Sequence, residues 1–343
     1  MRIAVVAPPW APIPPDLYGG IEQAVDLLAR GLHESDHEVM LFTTGDSTCP
    51  VPREWLLAHA EGSRMGFTVP EVRHVMAAYD IAHQNFDIVH DHTVLGPIYA
   101  ERYPDLPVVT TIHGPFNDEL IDIYERMAHR VPVIGISRAQ LVPAPHIPVV
   151  RVIHHGVDAR DFPIGDGSGD GKGDYCLFLG RMAAEKGPQR AIVAARQAGL
   201  RIILAGKLRE PWEQMFFEKE VAPLLGDDAE YVGEVTQADK VRLLGGARAT
   251  LFPIRWNEPF GLVMLESMAC GTPVLAFDEG AAPEVVENGC NGFLCEDEID
   301  MGDKLASVGD LDRAVCRASV QGYFSMDRVI GEHLELYAQI LAG

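Results

Sequence analysis

The chain has 343 residues and a formal net charge of −22, from 28 Lys and Arg against 50 Asp and Glu. This length suits two domains of roughly 150 to 170 residues, and a hydrophobic content of 47% excludes disordered, collagen-like and coiled-coil chains. The negative charge disfavours nucleic acid and anionic membranes as partners. The sequence has no long apolar stretch, no signal-peptide pattern and no C-x-x-C pair among its six cysteines, so we expect a cytoplasmic protein with reduced thiols.

The first half alternates short β-branched runs with helical patterns, which predicts a parallel sheet covered by helices. The runs show no polar alternation, as expected for strands buried on both faces. The predicted strands are RIAVVA, EVMLFTT, FDIVHDH, PVVTTIHG, VPVIGIS and VVRVI.

The second half repeats the pattern and predicts a second parallel sheet, with strands in YCLFLG, LRIILAG, AEYVG, ATLFPI, TPVLAF and NGFLC. Between the halves, the Gly- and Asp-rich segment 158–174 is predicted to be a linker, with the domain boundary near Gly165. The predicted domains are therefore 1–164 and 165–322. An amphipathic helix at 323–343 follows, and periodicity leaves open whether it packs back on the N-terminal domain.

Ligands bind an open α/β sheet at the carboxyl ends of its strands, so residues that follow each strand are candidates. After the first strand, the pair Gly19-Gly20 opens a helix and either admits an anion to the helix N-terminus or forms only a tight turn. The segment contains no G-x-G-x-x-G, which argues against a nicotinamide dehydrogenase.

In the second half, Arg181 and Lys186 lie in the loop between a buried strand and the helix predicted at 188–196. Two cations at a helix N-terminus are unfavourable with the helix dipole unless an anion joins them, which favours a diphosphate ligand. The alternative is a pair of solvated surface cations.

The segment 252–273 predicts a strand, a loop and a helix that begins near Pro259. Glu258 is expected at the mouth of the helix and Glu266 two turns inside it, where their carboxylates could accept hydrogen bonds from sugar hydroxyls. Alternatively, Glu258 is only a favourable N-terminal charge and Glu266 an exposed helix residue. Backbone amides that could point at a phosphate or hydroxyl group are those of Phe260, Gly261 and Leu262.

The triplet His90-Asp91-His92 has the composition of a metal site. Strand alternation, however, sends Asp91 to the face opposite the two histidines. We therefore expect a structural or acceptor-side role at the strand end, and no bound metal.

Glu258 and Glu266, with seven residues between them, resemble the E-x7-E signature of retaining GT-B glycosyltransferases of family 4, the glycosyl transferases group 1. The resemblance implies two Rossmann-like domains whose parallel sheets face each other across a cleft, the first binding the acceptor and the second the nucleotide-sugar donor. Further matches span almost the whole chain, at Gly19-Gly20, DIVHDH (87–92), His113-Gly114, Ser137, HHGVD (154–158), GRMAAEKG (180–187) and PEVVENGCNGFL (283–294).

The resemblance also implies a role for each matching residue. His113 would lie beside the reacting sugar, and Glu258 would bind that sugar rather than act as a nucleophile; these two are the catalytic candidates. The sequence departs from the family at His155, where the family has Asn. The implied donor-binding residues are Glu266 for the ribose, Arg181 and Lys186 for the diphosphate, the amides of Phe260, Gly261 and Leu262 for sugar and phosphate, and the Gly20 amide for the diphosphate from the other domain.

The expected function is therefore retaining transfer of a hexose from a nucleoside diphosphate sugar, UDP rather than GDP, to a hydroxyl of a soluble acceptor. Neither a metal nor another cofactor is expected, because the cationic side chains supply the countercharge. The alternatives are a nucleotide-sugar epimerase or a phosphorylase with two such domains, and a sugar-nucleotide-binding protein without catalysis.

Overall fold

The computed structural model describes residues 1–17, 19–172 and 174–343, so Tyr18 of the first strand–helix turn and Gly173 of the glycine-rich segment lie outside the described residues. The chain forms two compact units. One comprises Met1–His155 with Met326–Gly343, and the other comprises Gly156–Ser325.

The first unit contains a seven-stranded sheet in the order β3-β2-β1-β4-β5-β6-β7, with every pairing parallel. The six predicted runs are confirmed as strands, and the edge strand β3 was not predicted because two polar residues carry no periodicity. The strands are β1 (Arg2–Val6), β2 (Glu38–Phe42), β3 (Arg53–Glu54), β4 (Ile88–Asp91), β5 (Val108–Thr111), β6 (Val133–Gly135) and β7 (Val149–Val152).

The C-terminal helix α13 packs on the core of this first unit. Its Ile330 and Tyr337 are buried with β1 and α1 residues, and Gly31 of α1 leaves room for Ile330, since a Cβ at Gly31 would lie 2.5 Å from Ile330 Cγ1. The helices of the first unit are α1 (Gly20–Glu34), α2 (Thr68–Asn85), α3 (Gly96–Tyr99), α4 (Asp118–Met127), α5 (Arg138–Leu141) and α13 (Met326–Ala342).

The second unit contains a six-stranded parallel sheet in the order β10-β9-β8-β11-β12-β13, and all six of its strands were predicted. The strands are β8 (Tyr175–Leu179), β9 (Arg201–Ala205), β10 (Ala229–Tyr231), β11 (Ala249–Phe252), β12 (Val274–Phe277) and β13 (Gly292–Cys295). The helices are α6 (Pro188–Gln197), α7 (Pro211–Phe216), α8 (Gln237–Gly246), α9 (Leu262–Ala269), α10 (Ala282–Val285), α11 (Glu298–Lys304) and α12 (Arg313–Tyr323).

Short helical turns complete the two units. They are 3-10 turns at Gly62–Arg64, Ala100–Arg102, Ala159–Asp161, Ala222–Leu224 and Leu305–Asp310, and a π turn at Phe217–Val221.

The glycine-rich segment predicted to be a linker is instead packed on the second unit. Its amides at Gly165 and Gly167 donate to the carbonyls of Cys270 and Gly245. A Cβ at Gly165 would lie 2.1 Å from the Gly245 carbonyl oxygen, so the glycines serve close backbone contact rather than flexibility. The division between the units accordingly falls at 155/156, earlier in the chain than the expected boundary near Gly165.

Candidate active site

The strand order places two loops of the second unit side by side. Numbered along this unit, the order is 3-2-1-4-5-6, and it reverses between β8 and β11, which are neighbours. Ligands of doubly wound sheets bind at the carboxyl ends of the strands at such a reversal. The loop after β8 carries Arg181 and Lys186, and the loop after β11 carries Glu258.

The structure brings Lys186 and Glu258 together as a buried ion pair. Lys186 Nζ donates to Glu258 Oε2, and each side chain is 11% exposed. Trp256 completes the group, because its indole Nε1 donates to the same Oε2 at 2.8 Å and its ring centroid lies 4.7 Å from Lys186 Nζ. Lys186 is therefore not a solvated surface cation.

Arg181 is less buried and faces two partners. Its Nη2 donates to Glu185 Oε1 at 3.0 Å, and its guanidinium lies 5.6 Å from the ring centroid of Trp212. Both cations of the loop thus face a carboxylate within the unit. A diphosphate would have to share the charged N–H groups with these carboxylates or displace them.

Hydrogen bonds to backbone carbonyls hold the two loops together. Arg190 of α6 donates through Nε to the Pro253 carbonyl at 2.8 Å and through Nη2 to the Ala184 carbonyl at 3.0 Å. The Arg255 amide donates to the Glu185 carbonyl at 2.8 Å. Gly187 caps α6 with a φ of 76°, and a Cβ there would lie 2.4 Å from the Pro253 oxygen. Contacts between residues far apart in the sequence therefore hold the two loops together.

Helix α9 begins later than expected, at Leu262, with Gly261 as its N-cap at a φ of 88°. Pro259 lies before the helix, so Glu258 is outside it and Glu266 lies about one turn inside. The expectation that Glu266 lies two turns inside the helix is therefore wrong, because the segment before Leu262 is loop. Phe260 is buried beside Phe324. In the first turn of α9, the Met264 amide donates to the carbonyl of the N-cap Gly261 at 3.0 Å, whereas the first amides of a helix in general have no acceptor within it.

Glu266 is buried and paired, which excludes its interpretation as an exposed helix residue. Its Oε1 accepts from Lys240 Nζ at 2.5 Å, and its side chain is 9% exposed. Lys240 also lies 5.8 Å from the ring centroid of Phe162, which belongs to the segment that was expected to be a linker. The carboxylate is thus held in place before any ligand binds.

In the first unit, His113 follows β5 and lies in a cluster of imidazoles. Its Nε2 lies 2.8 Å from His92 Nδ1, and its ring stacks on His155 at a centroid distance of 5.3 Å. The residue that departs from the family pattern therefore contacts the predicted catalytic histidine. Burial, with the neighbouring His92, lowers the pKa of His113 well below its usual value. His113 Nδ1 and His92 Nε2 have no hydrogen-bond partner among the described residues.

Gly20 is the first residue of α1 and is exposed, with Gly19 as N-cap. Glu22, in the first turn, is buried, and burial raises the pKa of its carboxyl. A Cβ at Gly19 would lie 2.8 Å from Glu22 Oε2, so the first glycine makes room for this side chain. The assignment of the Gly20 amide to a diphosphate stays a prediction.

The triplet at the end of β4 follows the predicted alternation. His90 hydrogen-bonds Tyr337 and Thr111, at 2.5 and 2.7 Å, whereas Asp91 Oδ2 accepts from Tyr79 at 2.8 Å on the other face. Burial raises the pKa of Asp91 to about 7. Over residues 1–17, 19–172 and 174–343, no group of three or more His, Cys, Asp or Glu side chains is arranged to hold a metal ion.

Sequence reasoning missed three residues of the site. Trp256 was visible inside the key segment, and its position two residues before Glu258 was the available signal. Lys240 lies near the start of α8, directly after the β10 loop, and could have been listed as a strand-end cation. Trp212 carried no signal, because its contact with Arg181 joins separate elements.

Comparison with protein families identifies the class. Residues 166–310 match the model described as glycosyl transferases group 1, and residues 18–161 match the model described as glycosyltransferase family 4. The chain belongs to this glycosyltransferase family, and its two parallel-sheet units have the GT-B fold. No helix in the described ranges has the length and apolar character needed to cross a bilayer.

The chain is similar to a phosphatidyl-myo-inositol mannosyltransferase of Mycolicibacterium smegmatis, at 27% identity over 93% of this chain and 86% of the relative. Among solved structures, a sucrose-phosphate synthase from Thermosynechococcus elongatus superposes with a TM-score of 0.83 at 20% identity, covering 99% of each chain. The Anabaena HepE protein in complex with UDP and glucose gives 0.79 at 18% identity, covering 99% of this chain and 100% of the other. At these identities the structural likeness shows the fold.

Proposed function

We propose that this enzyme transfers a hexose, with retention of anomeric configuration and without a metal ion, from a nucleoside diphosphate sugar to an acceptor hydroxyl. The observation that carries the proposal is the buried Lys186–Glu258 pair at the strand-order reversal of the second unit. Burying two charges costs free energy that apolar side chains would not cost, so a pair at a ligand-binding edge points to a binding role.

The two members of this pair suit different parts of a sugar diphosphate. An ammonium group has three N–H donors, so Lys186 can keep its bond to Glu258 and donate to a phosphate oxygen as well. Arg181, on the same loop, supplies a planar guanidinium that binds phosphate with two N–H groups. Charge developing on the leaving diphosphate is thereby stabilised by groups already in place, which is the largest contribution in many enzymes.

We propose that Glu266 binds the ribose hydroxyls and that Lys240 keeps its carboxylate directed. Because the Glu266 side chain is already ordered in the folded protein, ligand binding loses less conformational entropy, which favours affinity. Amides of Phe260, Gly261 and Leu262, around the start of α9, are proposed to bind the donor sugar and phosphate, and Gly20 the diphosphate.

For the reaction itself, we propose that the acceptor hydroxyl attacks from the face that the diphosphate leaves. The departing phosphate accepts the hydroxyl proton, so no protein nucleophile is required. His113, kept neutral by burial, can accept or donate a hydrogen bond to a sugar hydroxyl through Nδ1, which has no partner among the described residues. In this scheme Glu258 binds the sugar.

We propose UDP as the nucleotide and a soluble hydroxyl compound as the acceptor. UDP in the complex of HepE supports the first choice. The second rests on the net charge of −22, which opposes docking on anionic lipid. All six cysteines are free thiols, five of them buried, which suits the proposed cytoplasmic location.

The test is incubation with UDP- and GDP-sugars and a panel of hydroxyl acceptors, with released nucleoside diphosphate and product anomers measured by NMR. A retained anomer, with rates unchanged by a chelator, is expected. Restoration of activity by manganese after chelation would refute metal independence. Sugar interconversion without diphosphate release would indicate an epimerase, and saturable binding without turnover a non-catalytic protein.

A further inference from the structure

Trp256 lies beside the donor-site residues but has no role in the proposed reaction. Its side chain touches both members of the buried pair, through the ring edge on one side and the ring face on the other. We propose that Trp256 is a positioning residue that directs Glu258 toward the sugar and Lys186 toward the diphosphate. This inference rests on the proposed function of the site.

The indole N–H determines which carboxylate oxygen of Glu258 meets the substrate. Oε2 accepts from both Trp256 Nε1, at 2.8 Å, and Lys186 Nζ. Two donors on one oxygen fix the plane of the carboxylate, and sugar-hydroxyl recognition then falls to Oε1. A rotation of the carboxylate would leave an indole N–H unpaired in a half-buried place, which is unfavourable.

The ring face acts on Lys186. The centroid lies 4.7 Å from Nζ, within the range of a cation–π contact. An aromatic face occupies one side of the ammonium without taking one of its N–H donors. The ring thus limits the directions that Nζ can reach while leaving donors for a phosphate.

The backbone around Glu258 is already fixed, so its side-chain torsions are the freedom that remains. The Glu258 amide donates to the Trp256 carbonyl at 2.8 Å, and the Glu258 carbonyl accepts from the Ala281 amide at 3.0 Å. Gly280, at a φ of 56°, packs so closely that a Cβ would lie 2.5 Å from the Glu258 nitrogen. Trp256 restricts that remaining freedom.

Two substitutions separate the actions of the indole. Trp256→Phe keeps a ring face for Lys186 and removes the N–H, whereas Trp256→Leu removes both. Trp55→Phe is the control, because Trp55 belongs to the first unit, immediately after β3, and is 49% exposed. For each variant, calorimetry gives the dissociation constant of the nucleoside diphosphate, and initial rates give kcat and KM for the sugar donor.

We expect Trp256→Phe to lower kcat by about 10-fold or more, since a hydrogen bond to a charged group is lost, with the nucleoside diphosphate dissociation constant changed by less than about threefold. Trp256→Leu should lower kcat similarly and raise that dissociation constant by roughly 3- to 30-fold. A merely structural role would move kcat, affinity and melting temperature together in both variants, and that result would overturn the proposal, as would a Phe variant with wild-type kcat.

Failure of the proposed function gives a different result. Wild-type protein would then bind a nucleoside diphosphate and turn over no sugar donor. Affinity for the nucleoside diphosphate would still test the Trp256 inference, because only the Leu variant should bind it more weakly. Equal affinity in the Phe and Leu variants would refute the proposed effect of the ring face on Lys186. The Phe variant also carries the test if the Leu variant does not fold.

Discussion

Removing both partners of the Lys186–Glu258 pair should destabilise the second unit by less than the sum of the losses that follow from removing each partner alone. In Lys186→Met, which shortens the side chain by one atom and removes its charge, the Glu258 carboxylate stays buried with the Trp256 N–H as its remaining donor at Oε2. Breaking a buried pair from one side costs about 3–5 kcal/mol, because an uncompensated charge is left behind. In Glu258→Gln the ammonium is the charge left behind, and a similar loss is expected.

The double variant carries no buried charge at these positions, so its loss should be smaller than the sum of the single losses, with a coupling free energy of about 1–3 kcal/mol. For a unit of this size, one kcal/mol corresponds to about 2–4 °C in melting temperature. Each single variant should therefore melt roughly 6–20 °C lower, a difference that differential scanning calorimetry resolves.

The matched control is the Arg196–Asp228 pair of the same unit. Its N–O distance is 2.6 Å, but its side chains are 38% and 45% exposed. The same cycle there should give a coupling below about 1 kcal/mol, since solvent screens the charges. Additive losses at Lys186 and Glu258, within about 0.5 kcal/mol, would show that the burial argument is wrong.

Three further predictions concern ligand affinity and acid stability. Arg181→Ala should weaken nucleoside diphosphate binding by roughly 10- to 150-fold, and Glu185→Gln should strengthen it by removing the competing carboxylate; unchanged titrations would contradict the phosphate assignment. Glu266→Gln should weaken binding of the free nucleoside diphosphate at least as much as binding of the intact sugar donor, as measured by calorimetry. A loss of affinity for the intact donor alone would refute ribose binding by Glu266. Burial lowers the pKa of His74 and of His333 to about 4 from 6.5, so the unfolded chain binds these protons first and stability falls as pH drops from 6.5 toward 4. For each of these histidines, the free energy of unfolding of the first unit should fall by about 2 kcal/mol as the pH drops from 7 to 5. Equal urea midpoints at the two pH values would refute this.

The sequence predicted what depends on local pattern. Both sheets followed from runs of β-branched residues. Arg181, Lys186 and Glu258 were found because each lies in a loop after a strand, and Glu266 because it lies on the helix that follows such a loop. What it could not provide is which of them touch. Lys186 and Glu258 are 72 positions apart, and no periodicity joins them.

The linker error has a similar cause. Glycine and aspartate are typical of a flexible connection, but here Gly165 runs against Gly245 of α8 with no space for a side chain. Composition reports conformational freedom in the unfolded chain, whereas the folded role depends on a surface formed by residues far away in sequence. The same holds for Phe162, a buried aromatic residue that contacts Lys240.

The order in which the chain is synthesised conflicts with the order in which its units can be completed. Helix α13 is made after the whole of the second unit, yet its Ile330 and Tyr337 fill the core of the first. Until those residues leave the ribosome, the apolar face of α1 around Gly31 has no cover, so the earlier-made unit is the later one to mature. A nascent chain of this protein should therefore expose this apolar face of the first unit until α13 has been made, and chaperone binding should fall once α13 has left the ribosome.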